Sequence, residues 1–341
     1  MQHYPFDPPG SIYTVVQAIN PAGAITGWYI DGSNVVHGFL RAKDGTLTSF
    51  DAAPGVPDTQ GFSINPAGAI AGFYSDTSTH GFLRAPDGTI TTFDAPGAGT
   101  NGSLFQGTYA VNINPAGAIA GHYSDDDNVY HLFLRAPDGT ITTFDAPGAG
   151  AGFAQGTFIA VSGGLNPAGA IAAYYVNSGS VFSGTQVYHS AVLAPDGTFT
   201  TFDVPGAGTG PGQGTAPGSI NPTGTIPGVY IDSSGVNHAF VRAKDGTITK
   251  FDVRDAGAGV GQGTLGGSIN TPGEVDGFYI DGSGVAHGFL RSKQGDISTF
   301  DVPGAGTGSG QGTIPEQNNP ADAITGNYID ASGVQHGFLR K

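Results

Sequence analysis

The chain has 341 residues, only 11% of them charged, with 12 Lys and Arg against 27 Asp and Glu for a formal net charge of −15, and it has no cysteine. That composition excludes thiol catalysis, disulfides and Cys-ligated zinc, and it disfavours polyphosphate and anionic membrane, which need clustered basic side chains. No apolar run reaches the roughly 20 residues of a membrane span, so neither nucleic acid nor membrane insertion is expected, while cations and neutral ligands stay open.

In chain order, the first landmark is Phe6-Asp7, followed closely by Pro-Gly. Phe-Asp recurs at Phe50-Asp51, Phe93-Asp94, Phe144-Asp145, Phe202-Asp203, Phe251-Asp252 and Phe300-Asp301, each time closing one copy of a repeat. The last copy stops at His336–Lys341, just before its own Phe-Asp. The N-terminal element supplies the missing piece, which predicts a ring closed by its first segment. Residues 1–10 carry no basic stretch followed by an apolar one, so no signal peptide is read there; a secreted chain already trimmed would look the same.

Asn-Pro marks the phase at Asn20, Asn65, Asn114, Asn166, Asn221, Asn270 (as Asn-Thr-Pro) and Asn319, with steps of 45, 49, 52, 55, 49 and 49 residues. Periods of this size belong to propeller blades rather than to helical repeats. Gly 59 and Pro 23 fall between apolar runs as punctuation. Residues 213–253 show the pattern: Gln213 to Asn221, Thr225 to Asp232, His238 to Arg242 and Thr247 to Asp252 are four strand-length runs rich in strand formers. Asn-Pro-Thr-Gly and Asp-Gly are tight-turn signals between them. No useful stretch of 3.6-residue periodicity occurs, so helices should be scarce.

The predicted fold is all-β: one seven-bladed β-propeller domain, four antiparallel strands per blade, with residues 1–10 completing the last blade. The blades run approximately over 11–55, 60–101, 106–150, 155–208, 213–257, 262–306 and 311–341 plus 1–10. The first strand of each blade would line the channel, and closure would hide the sheet edges.

Each blade carries a His: His37, His80, His131, His189, His238, His287 and His336. A residue repeated seven times at one radius cannot supply the separated pKa values that acid–base chemistry needs, so these are read as inter-strand hydrogen bonds. Arg41, Arg84, Arg135, Arg242, Arg291 and Arg340 are expected to pair with carboxylates on a neighbouring strand or blade. Gln60, Gln106, Gln155, Gln213, Gln262 and Gln311 each precede Gly near the first strand. They would either ring the channel mouth as ligand-binding carboxamides or bond to the loop backbone beside them.

Departures from the repeat matter more. The Gln-to-Asn spacing is 5 in blade two and 11 in blade four against 8 elsewhere. Blade three has Asn112, His122 and Asp125-Asp126-Asp127; blade four inserts Asn177–Tyr188 before His189; blade seven has Glu316-Gln317-Asn318. Asn112, Glu316 and Gln317 should approach the channel, and asymmetric function is expected at such places. Asp281–Gly284 and the triple Asp leave calcium open as a ligand, although neither matches a twelve-residue calcium loop; no metal centre or other cofactor is read.

Gly-x-Ile-Asn-x-x-Gly, then Gly-x-Tyr, then His-Gly/Ala-Phe-Leu-Arg resembles the bacterial extracellular HAF repeats. His238-Ala239-Phe240 carries that signature literally, and His37-Gly38-Phe39, His80-Gly81-Phe82, His287-Gly288-Phe289 and His336-Gly337-Phe338 carry a close variant. The resemblance covers the whole chain. It implies a secreted or surface-associated β-propeller, and it brings no assigned reaction and no catalytic residue.

Three functions are consistent with these readings. The first is a non-catalytic binding or scaffold propeller, extracellular or at the cell surface, taking a neutral polar ligand such as a glycan. The second is a polysaccharide lyase or glycoside hydrolase working in the central cavity, with Glu316, His122, Tyr188 and His189 as its residues. The third is a purely structural surface or assembly protein.

Overall fold

A computed structural model describes residues 2–160 and 163–341. Within them the chain forms 28 strands and one short 3-10 turn at Gly102–Leu104, so the expected scarcity of helix holds. The strands divide into seven four-stranded antiparallel units. Unit one is Ser11–Ile19, Ile25–Asp31, Val36–Arg41 and Leu47–Phe50. Unit five, Gly214–Pro217, Ile226–Ile231, Asn237–Arg242 and Ile248–Phe251, falls on the four predicted runs, though its first strand ends at Pro217 instead of running on to Asn221. Unit seven takes Gly312–Asn318, Ile324–Ile329 and Gln335–Arg340 from the C-terminal end and His3–Phe6 as its fourth strand. His3 lies opposite Arg340 and Phe6 opposite Gly337 in that antiparallel pair.

Why these segments pack this way is visible in the Gly-x-Tyr and His-Gly-Phe pair. A side chain at Gly27 would sit 2.8 Å from the Phe39 ring and 2.0 Å from the Val15 carbonyl oxygen. The missing Cβ lets Phe39 lie across the second strand. Phe39, Phe82, Phe133, Phe240, Phe289 and Phe338 are all fully buried. Burying each such ring stabilises the fold by about 2–3 kcal/mol. Unit four trades both partners at once, with Ala173 opposite Ala191.

At the Asn-Pro end the turns repeat with little change. Asn114 Oδ1 accepts hydrogen bonds from the amides of Ala116 and Ala118, closing its own turn. Its Nδ2 donates onward to the Asn166 carbonyl of the next unit. The same donation runs from Asn20 to Asn65, Asn65 to Asn114, Asn166 to Asn221, Asn221 to Asn270 and Asn270 to Asn319 at 3.1–3.4 Å. Asn319 donates to the Asn20 carbonyl at 3.1 Å, so the relay returns to its start. Buried amides satisfied in this way avoid the 1–3 kcal/mol cost of an unmet polar group.

Neighbouring units also touch through their sheets. Third and first strands of successive units meet in single parallel bridges, such as Val36 with Asp58 and Ala286 with Gly312. Units seven and one are joined by side chains. Val16 N–H donates to Asn327 Oδ1 at 2.7 Å, Ile19 N–H to Gln317 Oε1 at 2.8 Å, and Gln335 Nε2 to the Thr14 carbonyl at 3.2 Å.

The arginines correct the sequence reading. Each guanidinium lies over the Phe that ends the fourth strand of the preceding unit: Arg84 over Phe50, Arg135 over Phe93, Arg242 over Phe202 and Arg291 over Phe251. Arg340 lies over Phe300, and Arg41 over Phe6 of the N-terminal strand. The ring face provides the electrostatic partner that a carboxylate was expected to give. Among the described residues every ion pair within 4 Å is His to Asp.

Candidate functional site in the inner wall

The seven histidines are spoken for. His37, His80, His131, His189, His238 and His287 each hold the Asp fourteen residues on through Nδ1 at 2.7–2.9 Å. His336 holds Asp7 in the same way at 2.7 Å. Each imidazole also faces the Tyr of its own second strand, with ring centroids 4.9–5.2 Å apart. His131 titrates above its usual value, first because of the hydrogen bond to Asp145. In six units a second Asp stands near Nε2, as Asp125 does for His131 at 3.3 Å. His189 has only Asp203, because Asn177 takes the second Asp's place.

Five of the glutamines anchor the long connections between units. Gln213 Oε1 accepts from Gly210 N–H at 2.9 Å while Nε2 donates to the Ser233 carbonyl at 3.1 Å. Gln106, Gln155, Gln262 and Gln311 make equivalent pairs of bonds to loop backbone. Gln60 is a different kind of position. It lies within the first strand of unit two, opposite Phe73, and Nε2 donates to Asp58. Its short spacing to Asn65 is therefore a chance Gln-Gly inside a strand of ordinary length. The wide spacing of unit four is real: Thr157 precedes Asn166 by nine residues, where Thr108 precedes Asn114 by six.

Asn112 is buried and holds unit three to unit four, donating to the Ala160 carbonyl and accepting from Gly164 N–H. Gln317 lies on the inner wall and accepts from Ile19. Asp125 Oδ1 accepts from the amides of Asp127 and Val129, and Asp281 Oδ1 accepts from Ser283 and Val285, closing their turns. Among the described residues no three His, Asp or Glu side chains gather as a metal site would require.

The wall itself is asymmetric, and one pair of positions explains it. In the middle of each unit, a first-strand residue faces the variable residue of Gly-x-Tyr. Units two to four fill this place with Gln60 and Phe73, Tyr109 and His122, and Phe158 and Tyr174. These rings form a continuous run, alternately edge-on and stacked: Phe73 edge-on to Tyr109 at 5.0 Å, Tyr109 stacked on His122 at 5.2 Å, His122 edge-on to Phe158 at 5.5 Å and Phe158 stacked on Tyr174 at 5.0 Å. Burial lowers the His122 pKa to about 4, so it is neutral, and its Nδ1 has no hydrogen-bond partner.

Unit five has only Ala216 and Val229 at that place. A cavity of about 240 Å3 opens there, bounded by Tyr174, Val229, Leu265, Phe278, Pro315 and Glu316 among others. Glu316 sits beside a register shift between Pro315 and Gln317, which turns its side chain out of strand alternation. Asn327 Nδ2 donates to Glu316 Oε1 at 3.1 Å. Burial, against that hydrogen bond and helped by the nearby Asp276 charge, pushes the Glu316 pKa up to about 8. Asp276 is fully buried, and burial raises it to about 7.

The four residues of the enzymatic reading are not one constellation. Glu316 borders the cavity, and Tyr174 stands across it in place of Tyr188. Tyr188 packs edge-on against Tyr174 at 5.7 Å and takes a hydrogen bond from Gln186. His122 lies deeper in the aromatic stack, and His189 is held by Asp203. Sequence reasoning missed Asp276 and the cavity. Asp276 stands where the other units have Thr, Ala or Pro, so a lone acid at an uncharged repeat position was the available signal.

No family model matches the chain, and no curated protein matches it. Solved structures do. Virginiamycin B lyase from Staphylococcus aureus is similar with a TM-score of 0.60 at 13% identity, over 100% of this chain and 98% of that one. Puromycin hydrolase matches with a TM-score of 0.53 at 14% identity, over 97% of this chain and 55% of that one. The lectin BP39L from Burkholderia pseudomallei matches with a TM-score of 0.50 at 12% identity, over 96% and 98%. At such identity the likeness is one of fold: this is an all-β chain of repeated strand units whose structural neighbours are β-propellers.

Proposed function

We propose that the chain closes into a seven-bladed β-propeller and binds a neutral polar ligand, such as a glycan, in the cavity bordered by Val229. Closure is supported by the N-terminal strand on unit seven, the His336–Asp7 and Arg41–Phe6 contacts and the Asn relay from Asn319 to Asn20. The observation that carries the ligand reading is the make-up of the cavity wall. Tyr174 and Phe278 border it and supply aromatic surface of the kind that packs against sugar C–H groups. Glu316, with its pKa near 8, is mostly protonated at pH 7 and can donate a hydrogen bond. A few polar groups in an otherwise apolar pocket suit a small uncharged molecule. Binding without turnover fits the histidines, which are committed to Asp and Tyr partners. The HAF resemblance supports an extracellular or cell-surface setting.

A glycan array probed with the full chain, followed by turnover assays on acidic polysaccharides, tests this reading. The expected result is saturable glycan binding without bond cleavage. Turnover abolished by Glu316→Gln would move the function to the lyase or hydrolase class. Neither binding nor turnover would leave a structural protein.

A further inference from the structure

The loop end of units three and four carries an apolar patch with no counterpart among the described residues. Phe105, Phe153 and Phe182 are 63%, 53% and 48% exposed, with Phe182 between the other two at ring distances of 5.9 and 5.6 Å. Three loops distant in sequence converge to build it. Asn128 ties two of them together, with Nδ2 donating to the Leu104 carbonyl and its own carbonyl accepting from Ala154 N–H. Val181 N–H donates to the Ala154 carbonyl and brings in the third.

Phe105 is held there against its backbone preference. Its φ is 56°, in the left-handed region, and the equivalent residues before Gln213, Gln262 and Gln311 are Gly212, Gly261 and Gly310 at 73°, 75° and 78°. A bulky residue in that conformation costs about 1–2 kcal/mol, and such strain clusters at binding sites. Glycine would satisfy the turn, so the turn itself does not call for the ring.

Charge indicates the partner. The loops supporting the patch contain the exposed Asp76, Asp126 and Asp127, and segments 76–78, 94–107, 125–130, 145–156 and 177–188 contain no Lys or Arg. Most basic residues lie at the other end of the strands, as Arg84 and Arg135 do at the ends of their third strands. An apolar centre with an acidic surround complements cationic, apolar chemistry and repels both anionic lipid and a second copy of itself.

We propose that the Phe105–Phe182–Phe153 patch docks a basic polypeptide segment, its apolar side chains on the rings and its Lys or Arg toward Asp76, Asp126 and Asp127. The rings would also receive cations directly over their faces. The site is separate from the inner cavity and does not depend on what that cavity binds.

The probe is a labelled peptide of lysine pairs interrupted by single phenylalanines, titrated into the full chain by fluorescence anisotropy. Binding is expected to weaken as salt rises past about 0.1 M and to vanish when glutamate replaces lysine. Phe105→Gly should weaken binding at least about tenfold while the melting temperature stays or rises, because the backbone strain is relieved. Phe182→Ser should lose binding similarly. Binding unchanged in both variants, or none in the wild type, would overturn the proposal. So would self-association by sedimentation that the same substitutions abolish, since the occupant would then be a second copy.

Discussion

The Asn-Pro end of the strands and the inner wall are built from the same repeat and behave oppositely. At the Asn-Pro end each unit contributes one buried Asn, one turn and one donation to the next unit, and the pattern survives repeats of 45 to 55 residues. On the inner wall, between Val15 and Asn327, no two units present the same pair of residues. The relay is bound by geometry, because changing one member leaves the turn amides held by its Oδ1 without that acceptor and takes the second of two donors from a neighbour's carbonyl. Wall positions face a partner across the strand pair and hold no turn of a neighbouring unit, so they are free to differ. The stabilising contacts are therefore repeated, and the chemistry of the wall is local.

The largest test of the repeated part removes its most exposed dependency. Deleting residues 2–10 takes away the fourth strand of unit seven together with the Asp7 and Phe6 contacts. It should lower the melting temperature by more than about 10 °C in a calorimetric scan; an unchanged scan would show that the N-terminal strand closes nothing. Next in size, Asn319→Ala and Asn114→Ala should each cost about 1–3 kcal/mol in denaturant unfolding. A much smaller cost at Asn319 would mean that the junction of units seven and one is weaker than the others.

A subtler test concerns the acids of the wall. Glu316 and Asp276 have folded pKa values of about 8 and 7, above their ordinary 4.5 and 3.8. Each therefore contributes stability that is fully present below its unfolded value and lost as pH rises through the folded one. The melting temperature should fall between about pH 5 and 8 from these groups, and Glu316→Gln should flatten that fall and raise the value at pH 8 by a few degrees. No change in slope would argue that Glu316 is solvated. Smallest of all, His131→Gln should cost slightly more than His189→Gln, both within about 1 kcal/mol, because His189 lacks the second carboxylate and these groups are partly exposed. Equal losses would remove any role for the second Asp.

The sequence made the repeated part readable and the local part only partly so. Repeat phase, turn chemistry, the offset Phe6-Asp7 and the structural role of the seven histidines were all legible, since each rests on residues with few physical alternatives. Arginine was misjudged because its ring partner belongs to the preceding unit, 34 to 42 residues away, and a charge invites a search for its opposite. Gln60 looked like a repeat member because Gln-Gly recurs by composition in a glycine-rich chain; only strand pairing separates it from Gln106. The cavity was invisible for a further reason. It lies where Val229, Gly218 and Gly266 lack bulk, and small residues in a repeat read as ordinary drift. Glu316 was singled out as a departure from the repeat and borders the cavity, but Asp276, whose charge bears on it, lies in another unit.

The most direct test of the account is a Val229→Phe variant compared with wild type in binding to whichever array glycan the wild type retains. Phenylalanine is what units two and six already hold at this position, as Phe73 and Phe278, so the change returns unit five to the repeat and fills the cavity. The account predicts an equal or higher melting temperature and glycan binding weakened at least about tenfold, with basic-peptide binding at the Phe105 patch untouched. Glycan affinity unaltered in a well-folded Val229→Phe variant would contradict it.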